Sequence, residues 1–164
     1  IFPNEVSIRI TVPCSFLQHH NESGKYKEGD KIRIKKSKEI IITEGFMDTI
    51  RMSSIGYKNV VALMGTAFTK EHLEKIKSYK CKVVLNLDQD NAGKSATISI
   101  GDELIKNNID VSVIVFDDYK DSDEYIVNKG RDAFHLSGEL LCPFLSIRSG
   151  RFQGRRHPPR QACR

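Results

Sequence analysis

Lys82-Val83-Val84-Leu85-Asn86-Leu87-Asp88-Gln89-Asp90-Asn91-Ala92-Gly93-Lys94 is the stretch on which the fold turns. Its first half is an apolar, β-branched run of strand length, of the kind buried on both faces of a sheet. It then breaks into carboxylates, amides and Gly-Lys. Ala92, Ala96, Ile100 and Leu104 follow at four-residue spacing, the inner stripe expected of a helix. Strand, acidic turn and helix form one unit, and the unit recurs on both sides. Upstream, Glu39-Ile40-Ile41-Ile42-Thr43 reads as a strand, residues 48–55 as a short helix ended by Gly56, and residues 59–63 as a second strand. Thr69 can cap a helix over residues 70–79, with Leu73 and Ile76 facing inward. Downstream, residues 110–116 read as a fourth strand and 123–129 as a last helix stopped by Gly130. This alternation predicts an α/β fold, with a mainly parallel four-stranded sheet flanked by helices and joined by right-handed crossovers.

The patterned region, residues 37–135, is read as one domain. Residues 1–36 show two short alternations and turn residues but no sustained period. Residues 136–164 are read as a tail without a core of its own, either disordered or foreign to the domain, because Arg, Gly, Pro and Gln dominate its end. The net charge of +5 is unevenly spread: +3 over residues 1–36, −4 over 37–144 and +6 over 145–164. The domain itself is therefore acidic, and nucleic-acid binding cannot be inferred from the overall charge. The longest apolar run, Val60-Val61-Ala62-Leu63-Met64, is far short of the about 20 residues a membrane span needs. No membrane association is expected. Cys14, Cys81, Cys142 and Cys163 form no C-x-x-C pair, so zinc is not expected, and reduced thiols are. The chain starts at Ile1 without Met, and a piece of a longer protein is expected.

In parallel sheets the functional crevice lies beyond the carboxyl ends of the strands. Three of the four predicted strands run into acids there: Glu44-Gly45-Phe46-Met47-Asp48, then Asp88-Gln89-Asp90, then Asp121-Ser122-Asp123-Glu124. In extended chain Asp88 and Asp90 point to one side, and so do Asp121 and Asp123. Like charges about 4 Å apart repel by about 4 kcal/mol at a surface-like dielectric. Such a group calls for protons or cations, and hard oxygen donors favour Mg²⁺ or Mn²⁺. Gly45 and Gly93 suit close backbone approach, and Gly93-Lys94 at a helix start suits a phosphate. Gly65-Thr66 can line the same crevice or form a plain turn. His72, Lys75 and Lys77 read as an exposed helix face. Tyr57, Tyr79, Tyr119 and Tyr125 read as packing residues.

Taken in order, Glu44-Gly45 with Asp48, Gly65-Thr66-Ala67, Asp88-x-Asp90-x-Ala92-Gly93 and Lys120-Asp121-x-Asp123-Glu124-Tyr125 resemble the TOPRIM domain of bacterial DnaG-type DNA primases. The resemblance covers about residues 38–135. It implies a TOPRIM fold and a nucleotidyltransferase of the primase type, making short RNA primers on a single-stranded DNA template from ribonucleoside triphosphates. It implies Glu44 as general base or metal organiser, Asp48 as its acidic companion and Asp88 as a catalytic ligand. Glu44, Asp88, Asp90, Asp121 and Asp123 become the set for Mg²⁺ or Mn²⁺. Gly45, Gly65, Thr66, Gly93 and Lys94 become the candidate nucleotide and phosphate contacts. An RNA–DNA hybrid would be the product. The longer parent would meet a replicative helicase, in the cytoplasm at replication forks of the nucleoid.

Gln89 stands where these primases usually have Gly, and Asn91 where they usually have Arg. The E-G and D-x-D elements alone are shared with TOPRIM nucleases, which hydrolyse phosphodiesters, and with recombination-mediator-like TOPRIM proteins, which only bind DNA or partners. Gly-Thr-Ala and Lys-Asp-x-Asp-Glu-Tyr favour the primase.

Overall fold

The computed structural model describes residues 37–63, 67–116, 118–136 and 140–149. The expected β-branched runs form strands β1 (Glu39–Thr43), β2 (Val60–Ala62), β3 (Lys82–Asn86) and β4 (Val111–Ile114). Helices α1 (Phe46–Ser54), α2 (Lys70–Tyr79), α3 (Asn91–Lys106) and α4 (Ser122–Lys129) connect or follow them. A short helix α5 (Arg131–Leu136) comes next, then strand β5 (Leu141–Pro143) and helix α6 (Phe144–Arg148). The sheet has five strands, not four, in the order β2-β1-β3-β4-β5. The first four are mutually parallel, and β5 lies antiparallel on β4, with Cys142 opposite Val113.

Both faces of the sheet are covered, which is why its strands lack polar alternation. On one face Ile40, Ile42, Val83, Leu85, Val111 and Val113 pack against Leu73 and Ile76 of α2 and Ile100 and Leu104 of α3. On the other, Ile41, Val60, Val84 and Ile114 pack against Met52 of α1, Ile126 of α4 and Phe134 of α5. The tyrosines do pack: Tyr57 meets Phe134 edge-on, and Tyr125 lies between Phe116 and Tyr119.

The domain reaches past residue 135. Phe144 is 1% exposed and belongs to the core of the first face. The helix opposite carries Gly101, where an added Cβ would lie 2.2 Å from the Phe144 ring. Aromatic ring and glycine are therefore matched, and α6 sits on α3 only because position 101 has no side chain. Arg148 closes the contact through Asp102, at 3.0 and 3.2 Å. Residues 1–36 and most of the expected tail lie outside the described residues.

Two helix readings change. The inner face of α3 is Gly93, Thr97, Ile100, Gly101 and Leu104, while Ala92 is exposed. A strict four-residue spacing drifts around a helix of 3.6 residues per turn, so Ala92 leaves the stripe that Ile100 and Leu104 define. His72 is buried, not exposed: its Nδ1 accepts from the Thr69 N–H while Thr69 Oγ1 accepts from the His72 N–H, closing a capping box.

Candidate active site

β1 and β3 are neighbours in register, Thr43 opposite Asn86. The chain leaves both at one level. After β1 it turns onto the face of α1, and after β3 onto the opposite face, that of α3. This divergence opens a crevice between two adjacent strands, the usual ligand position in open α/β sheets. Glu44 and Asp88 stand at its two lips.

The turn after β1 is pinned from inside. Thr43 and Thr49 hydroxyls are hydrogen-bonded to each other at 2.7 Å, and both lie 3.2 Å from the Gly45 carbonyl oxygen, which accepts from the hydroxyl whose proton is not used between them. Gly45 is the N-cap of α1 at φ −108°, a conformation open to any residue, and a Cβ there would only touch Asp48 at 3.4 Å. The expected need for glycine at 45 is not met by the geometry. At Gly93 it is met: a Cβ would lie 2.2 Å from the Asp88 carbonyl oxygen. Gly93 lets the first turn of α3 close onto the backbone of Asp88. Its N–H donates to Asp90 Oδ1 at 2.8 Å, so that donor is already engaged and not directed at a phosphate. Lys94, next along, is exposed. Gly65 and Thr66 lie outside the described residues.

The acids fall into three kinds. Asp90 and Asp121 are N-caps, of α3 and α4, each accepting a backbone N–H at 2.8 Å. Strand β3 ends at Asn86, so the extended-chain spacing assumed for Asp88 and Asp90 does not apply. Asp123 is bonded by Arg51 Nε of α1. Asp48 is 8% exposed and accepts from Ser122 Oγ at 2.8 Å. These last two contacts tie α1 to α4. Glu44, Asp48 and Asp88 carry the electrostatic load. Burial first, then the Asp88 charge, pushes the Glu44 carboxyl above its ordinary value, and Asp90 and Asp48 add to the effect. Burial raises Asp48 against the Ser122 hydrogen bond, with Asp121 and Asp88 adding. Burial raises Asp88 too, opposed by Lys120 and reinforced by Asp121 and Asp90.

Acids from the β1, β3 and β4 loops, namely Glu44, Asp48, Asp88, Asp90 and Asp121, thus act on one another. Asp123 is turned to Arg51 instead. Sequence reading gave no role to Lys120, Arg51 or Ser122. Their partners lie about 30 to 75 positions away, and helical spacing carries no signal over that distance. Asn86 was also unremarked, yet its Nδ2 is buried without a hydrogen-bond partner, on the strand that leads to Asp88. A hard divalent cation fits the donor type and the mutual repulsion. Among the described residues, however, no three His, Cys, Asp or Glu side chains form a ready-made cage. The side chains would have to draw together around an ion.

A model of the Toprim-like family matches residues 41–126. The DNA primase of Staphylococcus aureus strain COL is 43% identical over 107 residues, which are 64% of this chain and 18% of that protein. The DNA primase of Clostridium acetobutylicum is 43% identical over 112 residues, 68% of this chain and 19% of that protein. The crystal structure of an Aquifex aeolicus primase, with zinc-binding and RNA polymerase domains, is similar at a TM-score of 0.59 and 31% identity, over 65% of this chain and 26% of that one. The chain belongs to the Toprim-like family, and its domain is the TOPRIM domain of a bacterial DnaG-type primase. It spans about a fifth of the length of the curated relatives it matches.

Proposed function

We propose that this chain is the metal-binding, catalytic part of a primase that joins ribonucleotides on a single-stranded DNA template. One observation carries the reading: Glu44 and Asp88 follow adjacent strands with diverging connections, and at the mouth of the crevice both carboxyls are pushed above their ordinary values, first by burial, then by Asp88 acting on Glu44 and by Asp121 and Asp90 acting on Asp88 against Lys120. A site that concentrates more negative charge than its own cations offset suits a further cation.

Glu44 and Asp88 would hold Mg²⁺ or Mn²⁺, with Asp90 and Asp121 contributing from their capping positions. Asp123 would join only on release from Arg51. The bound ion would supply charge stabilisation at the attacking and leaving oxygens of a phosphoryl transfer. The chain's own residues do the positioning. Asp48, locked by Ser122, keeps α1 against α4 and fixes the angle at which Glu44 enters the crevice. Gly93 and the Asp90 cap seat α3 so that the Asp88 backbone cannot shift. Glu44, with its carboxyl raised, is the residue suited to take a proton from the attacking hydroxyl.

Templated synthesis also needs cationic contacts along the DNA backbone. Residues 37–144 carry −4, so those contacts are assigned outside this acidic domain. The ribonucleoside triphosphates, the helicase partner and a place at cytoplasmic replication forks belong to that longer protein. Among the described residues no helix is long and apolar enough to cross a membrane.

The test is primer synthesis from ribonucleoside triphosphates on single-stranded DNA, run with the full-length parent and with this chain. The parent makes primers, Asp88→Asn lowers the rate by at least about 100-fold with folding retained, and this chain alone makes few or none. An Asp88→Asn parent with full activity would contradict the assignment. Metal-dependent shortening of the nucleic acid instead of synthesis would favour the nuclease.

A further inference from the structure

The β4–α4 loop brings a cation to the carboxylates. Lys120 Nζ lies 3.6 Å from Asp88 Oδ2, the Lys120 side chain being 61% exposed and that of Asp88 20%. The lysine backbone is held on both sides. Its carbonyl accepts from the Gln89 N–H at 2.8 Å, and its own N–H donates to Glu124 Oε2 at 2.8 Å. The β3 loop and the first turn of α4 thus fix where the side chain starts, and leave its end free to swing.

Of the charges acting on Asp88, Lys120 is the positive one, opposing Asp121 and Asp90. Arg51, a second cation near these loops, is bonded to Asp123. An ammonium group is a compact point charge on a flexible stem, without the fixed fork of a guanidinium. It can neutralise a carboxylate and leave it again.

We propose that Lys120 is the resident counterion of the metal-free crevice, seated at Asp88 and displaced when a divalent cation binds. The inference rests on the metal reading above. The lysine steadies the acids while the site is empty. It also competes for Asp88 and repels the incoming ion, so it sets how tightly the metal is held. Lys120 is a positioning residue here, not a catalytic one.

Removing its charge should therefore tighten metal binding. The readout is Mn²⁺ affinity of the full 164-residue chain, followed by the electron paramagnetic resonance signal of free Mn²⁺, together with thermal melts with and without the ion. Lys120→Gln should bind Mn²⁺ about two- to fivefold more tightly, the range an exposed pair of charges allows. Its metal-free melting temperature should fall, and the gain on adding Mn²⁺ should widen. Lys120→Arg keeps the charge and should stay within about twofold of the native affinity. Lys120→Met carries the same expectation as Lys120→Gln and replaces it should that variant fail to fold. Native binding with unchanged or weaker affinity in the neutral variants overturns the inference alone. Absence of Mn²⁺ binding by native and neutral variants alike removes the metal reading, and the inference with it.

Discussion

The Phe144 ring and the Glu44 carboxylate sit in parts of the molecule built on opposite terms. Around Phe144 everything is complementary: an aromatic ring against a glycine, and Arg148 paired with Asp102 at the rim. Around Glu44 like charges from three loops meet, and burial makes each of them harder to ionise. The first region contributes stability. The second costs it, because the crevice holds like charges close together and partly out of water. A protein tolerates such a cost where function requires it.

Substitutions in the two regions should therefore move stability in opposite directions. The largest effect is expected from Phe144→Ala, which empties a packed site and should cost about 3–5 kcal/mol. Urea unfolding would show it as a much lower midpoint. A loss below about 1 kcal/mol would mean that the β5–α6 segment is not part of the core.

Glu44→Gln should do the reverse. Gln is nearly isosteric, and it can still accept the Asp88 N–H while removing one charge from the crowd. The metal-free melting temperature at neutral pH should rise by about 1–3 °C, while activity of the longer protein is lost. The pH dependence follows from the raised carboxyl values. A group whose value is higher in the folded state stabilises fully below its ordinary value, 4.5 for Glu44, and that contribution is lost as pH rises through the raised one. The gap between native protein and Glu44→Gln should be small near pH 4 and widen towards pH 7. A constant gap would show that the charge at Glu44 is not the cause.

The smallest effect is expected at the rim. Asp102→Asn breaks an exposed pair with Arg148 and should change stability by about 0.5 kcal/mol or less. A larger loss would move the weight of this region from ring packing to charge.

The two regions also differ in how far the sequence reveals them. Strand cores such as Ile40-Ile41-Ile42 and Val83-Val84-Leu85 declare a doubly covered sheet through composition alone, and acids after three of the four predicted strands mark one end of it as the candidate site. The convergence of Glu44, Asp48 and Asp88 was legible for that reason. The β5–α6 segment was not. It has three strand residues and five helical ones, too few for a period to emerge, and they adjoin an Arg-rich stretch that reads as a tail. Its burial depends on Gly101, about 40 positions earlier, and only tertiary structure supplies that match. The same limit hid the pairings of Lys120 and Arg51, whose partners are set by how the loops converge. It also made Asp90, Asp121 and Asp123 look equivalent to Asp88, although two cap helices and one faces an arginine.

The central claim is that the mouth between β1 and β3 is a divalent-cation site. Anomalous diffraction from crystals of the chain soaked in Mn²⁺ tests it most directly. The account predicts a peak bridging the Glu44 and Asp88 carboxylates, with the Lys120 ammonium moved away from Asp88 and the peak lost in Asp88→Asn. Soaked crystals with no peak at this mouth, or with Mn²⁺ bound only at other surface acids, would contradict it.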